Sequence, residues 1–407
     1  MTDSRVPDVV IVGGGAIGLA SAWRLAQRGV RVEVIDPDPG SGASGVAAGM
    51  LAPVTEARLG EEDALRLGLA SLALWPDFAA ELDGVGFRAD GCVMVAADAD
   101  DRVALRDLVD RQRALGLAVE DLSAQELRRL EPALAPSVRR GALAAAECSV
   151  DPAALVRVLL AAATRAGVSV RRASVRRVVR TEGAHGGRVT GVELDDGEVV
   201  QARLVVVAAG AWSGRLGGLP GDTHLPVRPV KGQVLTLRQR PGDLVVRHTV
   251  RGIVRGSSIY LVPRDDGRLV CGATVEERGW DRPATAGAGY ELLRDVLTLF
   301  PGLDDAELVG VRAGFRPGTT DDLPLIGNGP SAQLVIATGH FRNGILLTPI
   351  TAAAVTALVT GEPVPDVVAS CDPARFGDPA LYPDRVRARV SVSGSATAVR
   401  SSEGTPR

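Results

Sequence analysis

A strand, a glycine-rich turn and a helix follow one another at the start of this chain in an order that few folds accommodate. Val9-Val-Ile-Val12 is a short β-branched run of the kind found in a sheet covered on both faces. Gly13-Gly-Gly-Ala-Ile-Gly18 follows at once and fits the spacing G-x-G-x-x-G at Gly13, Gly15 and Gly18. The pattern predicts a helix that starts near Ala16 and Ile17, runs to about Gln27 and stops at Gly29. A second strand, Val30 to Ile35, then ends on Asp36. Gly13 permits the tight turn, Gly15 lets backbone approach a pyrophosphate, and Gly18 lets helix and strand pack closely. The helix N-terminus offers unpaired N–H groups to phosphate oxygens. Asp36 is placed to accept ribose hydroxyls, and its charge disfavours a 2′-phosphate.

The next segment bears on which dinucleotide this is. After Asp36 and Pro37 comes a loop of small residues, Gly40-Ser-Gly-Ala43-Ser44-Gly-Val-Ala-Ala48-Gly49-Met50-Leu-Ala-Pro53. Small residues let backbone wrap a bulky ligand. A nicotinamide-dependent chain more often continues into a further α/β unit, so the loop favours FAD.

Size and charge narrow the rest. The 407 residues exceed one ordinary core and imply two domains. A net charge of −3 gives no bulk attraction to nucleic acid or anionic membrane. Val9 to Ala22 is too short and glycine-rich to span a bilayer, and the N-terminus lacks signal-peptide features, so the expected location is the cytoplasm. Cys92, Cys148, Cys271 and Cys371 are scattered singly with no metal-ligand or redox spacing; no metal site is expected. Lys231 is the only lysine. The basic run Arg171 to Arg180 alternates with apolar residues and reads as a solvated strand face.

Two motifs carry a family likeness. Ala47-Ala-Gly-Met-Leu-Ala-Pro53 and Gly339-His-Phe-Arg-Asn-Gly-Ile-Leu-Leu-Thr-Pro349 resemble the glycine oxidases of thiamine biosynthesis, in the D-amino-acid oxidase superfamily. Pro229-Val-Lys-Gly-Gln233, Tyr260-Leu-Val-Pro-Arg264, Gly272-Ala-Thr274, Gly314-Phe-Arg-Pro-Gly318 and Leu323-Pro-Leu-Ile-Gly327 lie in the expected order, so the resemblance covers about residues 8 to 365. It implies an α/β plus antiparallel β architecture: a Rossmann-like FAD-binding domain with an inserted, mostly antiparallel substrate domain. The expected FAD-binding domain is discontinuous (1–85, 146–221, 309–370), with 86–145 and 222–308 forming the substrate domain and 391–407 a disordered tail. Asp151 is read as the N-cap of a helix to Ala166, with Pro152 at its first position. A homo-oligomer is also implied by the resemblance.

An amino-acid oxidase needs a cation for the substrate carboxylate, a neutral amine with its α-hydrogen against the flavin, and stabilisation of negative charge on reduced flavin. Arg316 matches the family's carboxylate-binding arginine, with Arg312 as competitor. In a strand, Tyr260 shares a face with Val262, and Ile259 with Leu261; by resemblance Tyr260 reaches the carboxylate. Arg342 is placed by resemblance near flavin and substrate. Gly344 to Leu358 reads as a helix aimed at the flavin, with Pro349 distorting its first turn. Further implied cofactor contacts are Ala16, Ile17, Gly18, Pro37, Ala43, Ser44, Ala48, Gly49, Met50, Val175, His340, Phe341, Arg342, Asn343, Gly344, Ile345 and Leu346. His185 reads as part of a hairpin turn. Lys231 reads as a crossover-strand residue, with assistance to oxygen reactivity as the other role. No cysteine lies in Ala313 to Thr320, so the FAD is expected to be noncovalent. Val275 leaves room for sarcosine or a small D-amino acid. The remaining rivals are a flavin amine dehydrogenase with an acceptor other than O2, and a redox-sensing flavoprotein.

Overall fold

The computed structural model describes residues 6–58, 60–181, 187–219, 225–240 and 246–376. The expected tail and His185 lie outside the described residues. Two sheets organise the chain. The first has six strands in the order Leu325–Asn328, Leu334–Thr338, Leu204–Val207, Val9–Val12, Val32–Ile35, Ser169–Arg171. Its ladders are parallel except for the antiparallel pair at the Leu325–Asn328 edge. Val9–Val12 is buried at every position, as its uniform apolar run requires.

Helices Ala16–Gln27 and Pro152–Arg165 lie against this sheet in one core. Ala20 and Ala22 of the first are fully buried, and their size allows close packing. Asp151 caps the second by accepting the N–H groups of Ala153 (2.9 Å) and Ala154 (3.2 Å), with Pro152 in its first turn. In the helix Glu62–Ala80, Trp75 and Ser71 both donate to the Leu346 carbonyl, at 2.8 and 2.7 Å. Two side chains thus hold the C-terminal loop in register.

The second sheet has eight strands in the order Glu307–Gly318, Arg228–Arg238, Arg268–Gly272, Ser257–Pro263, Thr249–Val254, Cys92–Ala96, Gly141–Ala144, Glu120–Leu122. Its ladders are antiparallel except for Thr249–Val254 against Cys92–Ala96. The expected boundary at 309 needs correction here. Glu307–Gly318 pairs with Arg228–Arg238 along its length, from Arg238↔Glu307 to Arg228↔Gly318. Backbone pairing on that scale places Arg316 in the sheet that bears Tyr260, not in the nucleotide unit. The helix expected from Gly344 starts at Thr348 instead. Pro349 has no N–H to give and is tolerated only in a first turn, so regular helix cannot begin four residues earlier. Among the described residues no helix is long and apolar enough to cross a membrane.

Candidate active site

A cavity of about 710 Å³ lies between the two sheets. Its dinucleotide end is built at the C-terminal ends of Val9–Val12 and Leu204–Val207, where an open α/β sheet presents its crevice. Gly13, Gly15, Ala16, Ile17, Asp36, Pro37, Ala43, Ser44, Ala48, Gly49, Met50 and Val175 line it. Gly13 has φ +113, and a Cβ there would meet the Ala208 carbonyl oxygen at 2.4 Å. Gly15 differs, because only the Ser44 hydroxyl at 3.3 Å would face its Cβ; the space above it is open to a ligand. Asp36 accepts the N–H groups of Gly14 (2.6 Å) and Asp38 (2.8 Å), which fixes its carboxylate at the cavity wall. Ser44 accepts the Ala16 N–H at 3.1 Å. Gly18, expected among the cofactor contacts, does not line the cavity; its Cβ would come within 1.9 Å of the Gly13 carbonyl oxygen, so it serves the close packing of helix and strand.

His340, Phe341, Arg342, Gly344 and Ile345 line the opposite wall. Asn343 and Leu346 do not. The Asn343 carbonyl accepts the Leu347 N–H at 2.8 Å, and Leu346 is buried in the core with its carbonyl engaged by Ser71 and Trp75. His340 is buried, its Nε2 lies 3.0 Å from the Thr351 hydroxyl, and burial pushes its pKa down to about 3. It is a neutral ring at physiological pH.

The other end of the cavity is a row of side chains on one face of the eight-stranded sheet. Tyr260 leans over Gly272: a Cβ on that glycine would lie 2.6 Å from the phenol oxygen. Arg316 lies over Gly232, whose Cβ would be 2.3 Å from Nη1. Gly272 pairs with Val234, two residues from Gly232 on the same strand face, so the two glycines form adjoining parts of one floor. Phenol and guanidinium therefore stand side by side on backbone cleared of side chains. Arg316 Nη1 donates to the Thr274 carbonyl at 3.0 Å, and among the described residues no carboxylate pairs with it. Burial raises the Tyr260 pKa, so the phenol keeps its proton and is a donor. Arg312, the competitor, donates instead to the Gly45 carbonyl at 3.2 Å and does not line this cavity. Lys231 does not line it either.

Polar residues of the wall escaped the sequence reading, Arg251 and Glu56 foremost. Arg251 is directly opposite Tyr260 in the ladder of Thr249–Val254 with Ser257–Pro263. Its Nη1 donates to Glu56 at 2.6 Å and its Nη2 to the Ser258 hydroxyl at 3.2 Å. Glu56 also lies 3.5 Å from Arg342 Nε, and Arg342 pairs with Glu61. Arg251 and Arg342 are thus charge-compensated where Arg316 is not. Arg342 Nε and Nη1 are buried without a hydrogen-bond acceptor among the described residues, as expected of donors that meet a ligand.

Glu147 holds this wall from behind. It is fully buried and accepts the Thr55 N–H at 2.7 Å and hydroxyl at 2.8 Å, next to Glu56. Burial pushes its carboxyl up to about 7. Between the ordinary carboxylate range and that value the native state keeps a proton the unfolded chain has lost, so stability falls as pH rises through the window. Glu147→Gln, neutral at every pH, is expected to match the parent in denaturant unfolding at pH 4. At pH 8 it should exceed the parent by roughly 2 kcal/mol. Equal midpoints at pH 8 would remove this assignment.

Among the described residues no group of three His, Cys, Asp or Glu is arranged to hold a metal ion. No cysteine lines the cavity. The glycine cradle, the fixed Asp36 and the loop of small residues fit a dinucleotide whose ring system reaches the Arg316 end. Comparison with known proteins agrees. The family model for FAD-dependent oxidoreductases of the DAO type matches residues 8–358, and the chain belongs to that family. It is 34% identical over 361 residues to the glycine oxidase of Geobacillus kaustophilus, covering 86% of this chain and 92% of that one. A crystal structure of glycine oxidase from the same organism superposes with a TM-score of 0.82 at 32% identity, covering 92% of this chain and all of the other. The bifunctional ThiO/ThiG protein of Trichormus variabilis is 35% identical over 359 residues, 85% of this chain; the match spans about half, 51%, of that longer protein. The Rossmann-like and antiparallel division, and FAD as cofactor, follow from this membership and from the two sheets.

Proposed function

We propose that the chain is an FAD-dependent glycine oxidase, converting glycine through its imine to glyoxylate and ammonia, with O2 reduced to hydrogen peroxide. The observation that carries this reading is the uncompensated Arg316 guanidinium beside the protonated Tyr260 phenol, over a glycine floor, in a cavity with a dinucleotide cradle at its far end. FAD, when bound, supplies hydride acceptance and reoxidation by O2. Arg316 pairs with the substrate carboxylate and Tyr260 donates to it, which fixes the α-carbon. Arg342, held by Glu56 at Nε and by Glu61 at Nη2, turns its free Nη1 donor to the ligands. Burial pushes the His340 pKa down to about 3, which makes the ring too weak a base to be assigned the α-hydrogen. The likeness to ThiO/ThiG proteins supports a place in thiamine biosynthesis, with delivery of the imine to thiazole assembly as the proposed step; a cytoplasmic homo-oligomer is proposed with it.

A second reading rests on Val275, which lines the cavity with 66% of its surface exposed. Open space there admits an N-methyl or small D-side chain, so sarcosine or D-alanine competes with glycine. The test is anaerobic addition of each amine to the yellow protein. Bleaching by glycine with recovery and peroxide release in air supports the main reading; bleaching by sarcosine or D-alanine alone moves the substrate; no bleaching by any of them sinks both. Tyr260→Phe is expected to raise KM for glycine about tenfold with kcat little changed, the effect of one lost hydrogen bond to a charged group. Steady-state kinetics with an unaltered KM would remove Tyr260 from the carboxylate site.

A further inference from the structure

The only lysine of the chain is also one of its most completely buried side chains, with none of its surface exposed. An ammonium leaves water only where acceptors meet its protons. Here they come from one segment, residues 274–285, which leaves the strand Arg268–Gly272 and runs beside Arg228–Arg238. Lys231 Nζ donates to Asp281 Oδ2 at 3.0 Å and to the Pro283 carbonyl at 2.7 Å. Gln233, on the same strand face, repeats the attachment. Its amide nitrogen donates to Glu276 (2.7 Å) and the Thr285 hydroxyl (3.2 Å), and its oxygen accepts the Thr285 N–H (2.7 Å). Backbone bonds of 2.9 Å run both ways between Lys231 and Glu276.

The same segment reaches the cavity. The Thr274 carbonyl accepts Arg316 Nη1, and Val275 is part of the wall. Trp280 packs against Trp212 and Phe315, each at 5.2 Å between ring centroids, and both of those residues line the cavity. Lys231 and Gln233 alternate with Gly232 and Val234, so their attachment lies on the sheet face opposite the floor under Arg316.

We propose that Lys231 is a positioning residue for the substrate carboxylate. Through Asp281 and Pro283 it fixes segment 274–285, and with it the Thr274 carbonyl that orients Arg316 and the Val275 wall. This role rests on Arg316 being the carboxylate clamp. It assigns Lys231 no contact with oxygen or substrate. A methionine would fill the same space without a buried charge, but it would leave the Asp281–Pro283 stretch of the segment untied, and Arg316 would have to be ordered in part by the substrate at a cost in affinity.

The test uses the FAD-loaded enzyme with Lys231→Met and Asp281→Ala, and with Asp281→Asn, which retains an oxygen acceptor for Nζ. Glycine kinetics are measured beside flavin-absorbance titration with glycolate, the hydroxyl analogue of glycine. Lys231→Met and Asp281→Ala are each expected to raise KM and the glycolate Kd about tenfold. Saturated kcat should stay within a few-fold, and Asp281→Asn should recover most of the affinity. Lys231, inert to an amine-acylating reagent in the parent, should become acylated in Asp281→Ala, read by mass spectrometry. Unchanged KM and glycolate Kd in Asp281→Ala overturn the proposal. Asp281 is 44% exposed, so that variant decides the matter even if Lys231→Met fails to fold. A parent enzyme that neither oxidises glycine nor binds glycolate overturns the assignment of Arg316 first.

Discussion

Arg316→Ala is expected to lower kcat/KM for glycine about a thousandfold while leaving the protein yellow. The guanidinium is the one cationic group at the substrate end without a paired carboxylate among the described residues, since Arg251 holds Glu56 and Arg342 holds Glu61. A substrate carboxylate entering a cavity of this size gives up water and needs a charged fork in return. Losing it corresponds to about 4 kcal/mol. Arg316→Lys keeps the charge without the fork and should fall between parent and alanine variant. The dinucleotide end is built from other strands, so the ratio of flavin to protein absorbance should not change. An alanine variant with near-parental kcat/KM would transfer the clamp to Arg251 or Arg342.

The second large effect separates two glycines that look alike in sequence. Gly18→Ala would place a methyl 1.9 Å from the Gly13 carbonyl oxygen, so the helix Ala16–Gln27 must move off the sheet. Loss of soluble protein, or destabilisation above about 4 kcal/mol, is expected. In Gly15→Val the Cβ meets only a serine hydroxyl, at 3.3 Å, and the backbone is extended (φ −77, ψ −177), a conformation open to valine. That variant should fold with parental circular dichroism and remain colourless, because its side chain occupies the space needed by the pyrophosphate. A yellow Gly15→Val protein would mean that the dinucleotide lies elsewhere.

The contrast shows what kind of information the chain carries on its face. The strand, glycine turn and following helix were readable because each step depends on neighbours in sequence. So were the cap at Asp151 and the alternation at Tyr260, which puts Ile259 and Leu261 into one core and Tyr260 with Val262 against another. The membership of Glu307–Gly318 was hidden, since which strand it pairs with is a long-range fact. Arg251 and Glu56 were hidden for two different reasons. Arg255 and Gly256 both have positive φ, the mark of a two-residue hairpin turn, and counting outward from that turn sets Arg251 against Tyr260. In sequence the turn is marked by Gly256 alone, since Arg-Gly is not among the pairs that announce such a turn. Glu56 sits in a loop whose place depends on the buried Glu147 and Thr55, and nothing local announces it.

The cavity joins Gly13, next to the strand Val9–Val12, to Gly344, just before the helix Thr348–Thr360, with Leu204–Val207 and Leu334–Thr338 completing the sheet. Synthesis therefore delivers the phosphate cradle well before the opposite wall. Until Leu334–Thr338 has emerged, Leu204–Val207 has an unpaired edge and the crevice has one side. The two walls of the crevice thus come from opposite ends of the family match, and a nascent chain carries its glycine turn before the wall that completes the crevice exists.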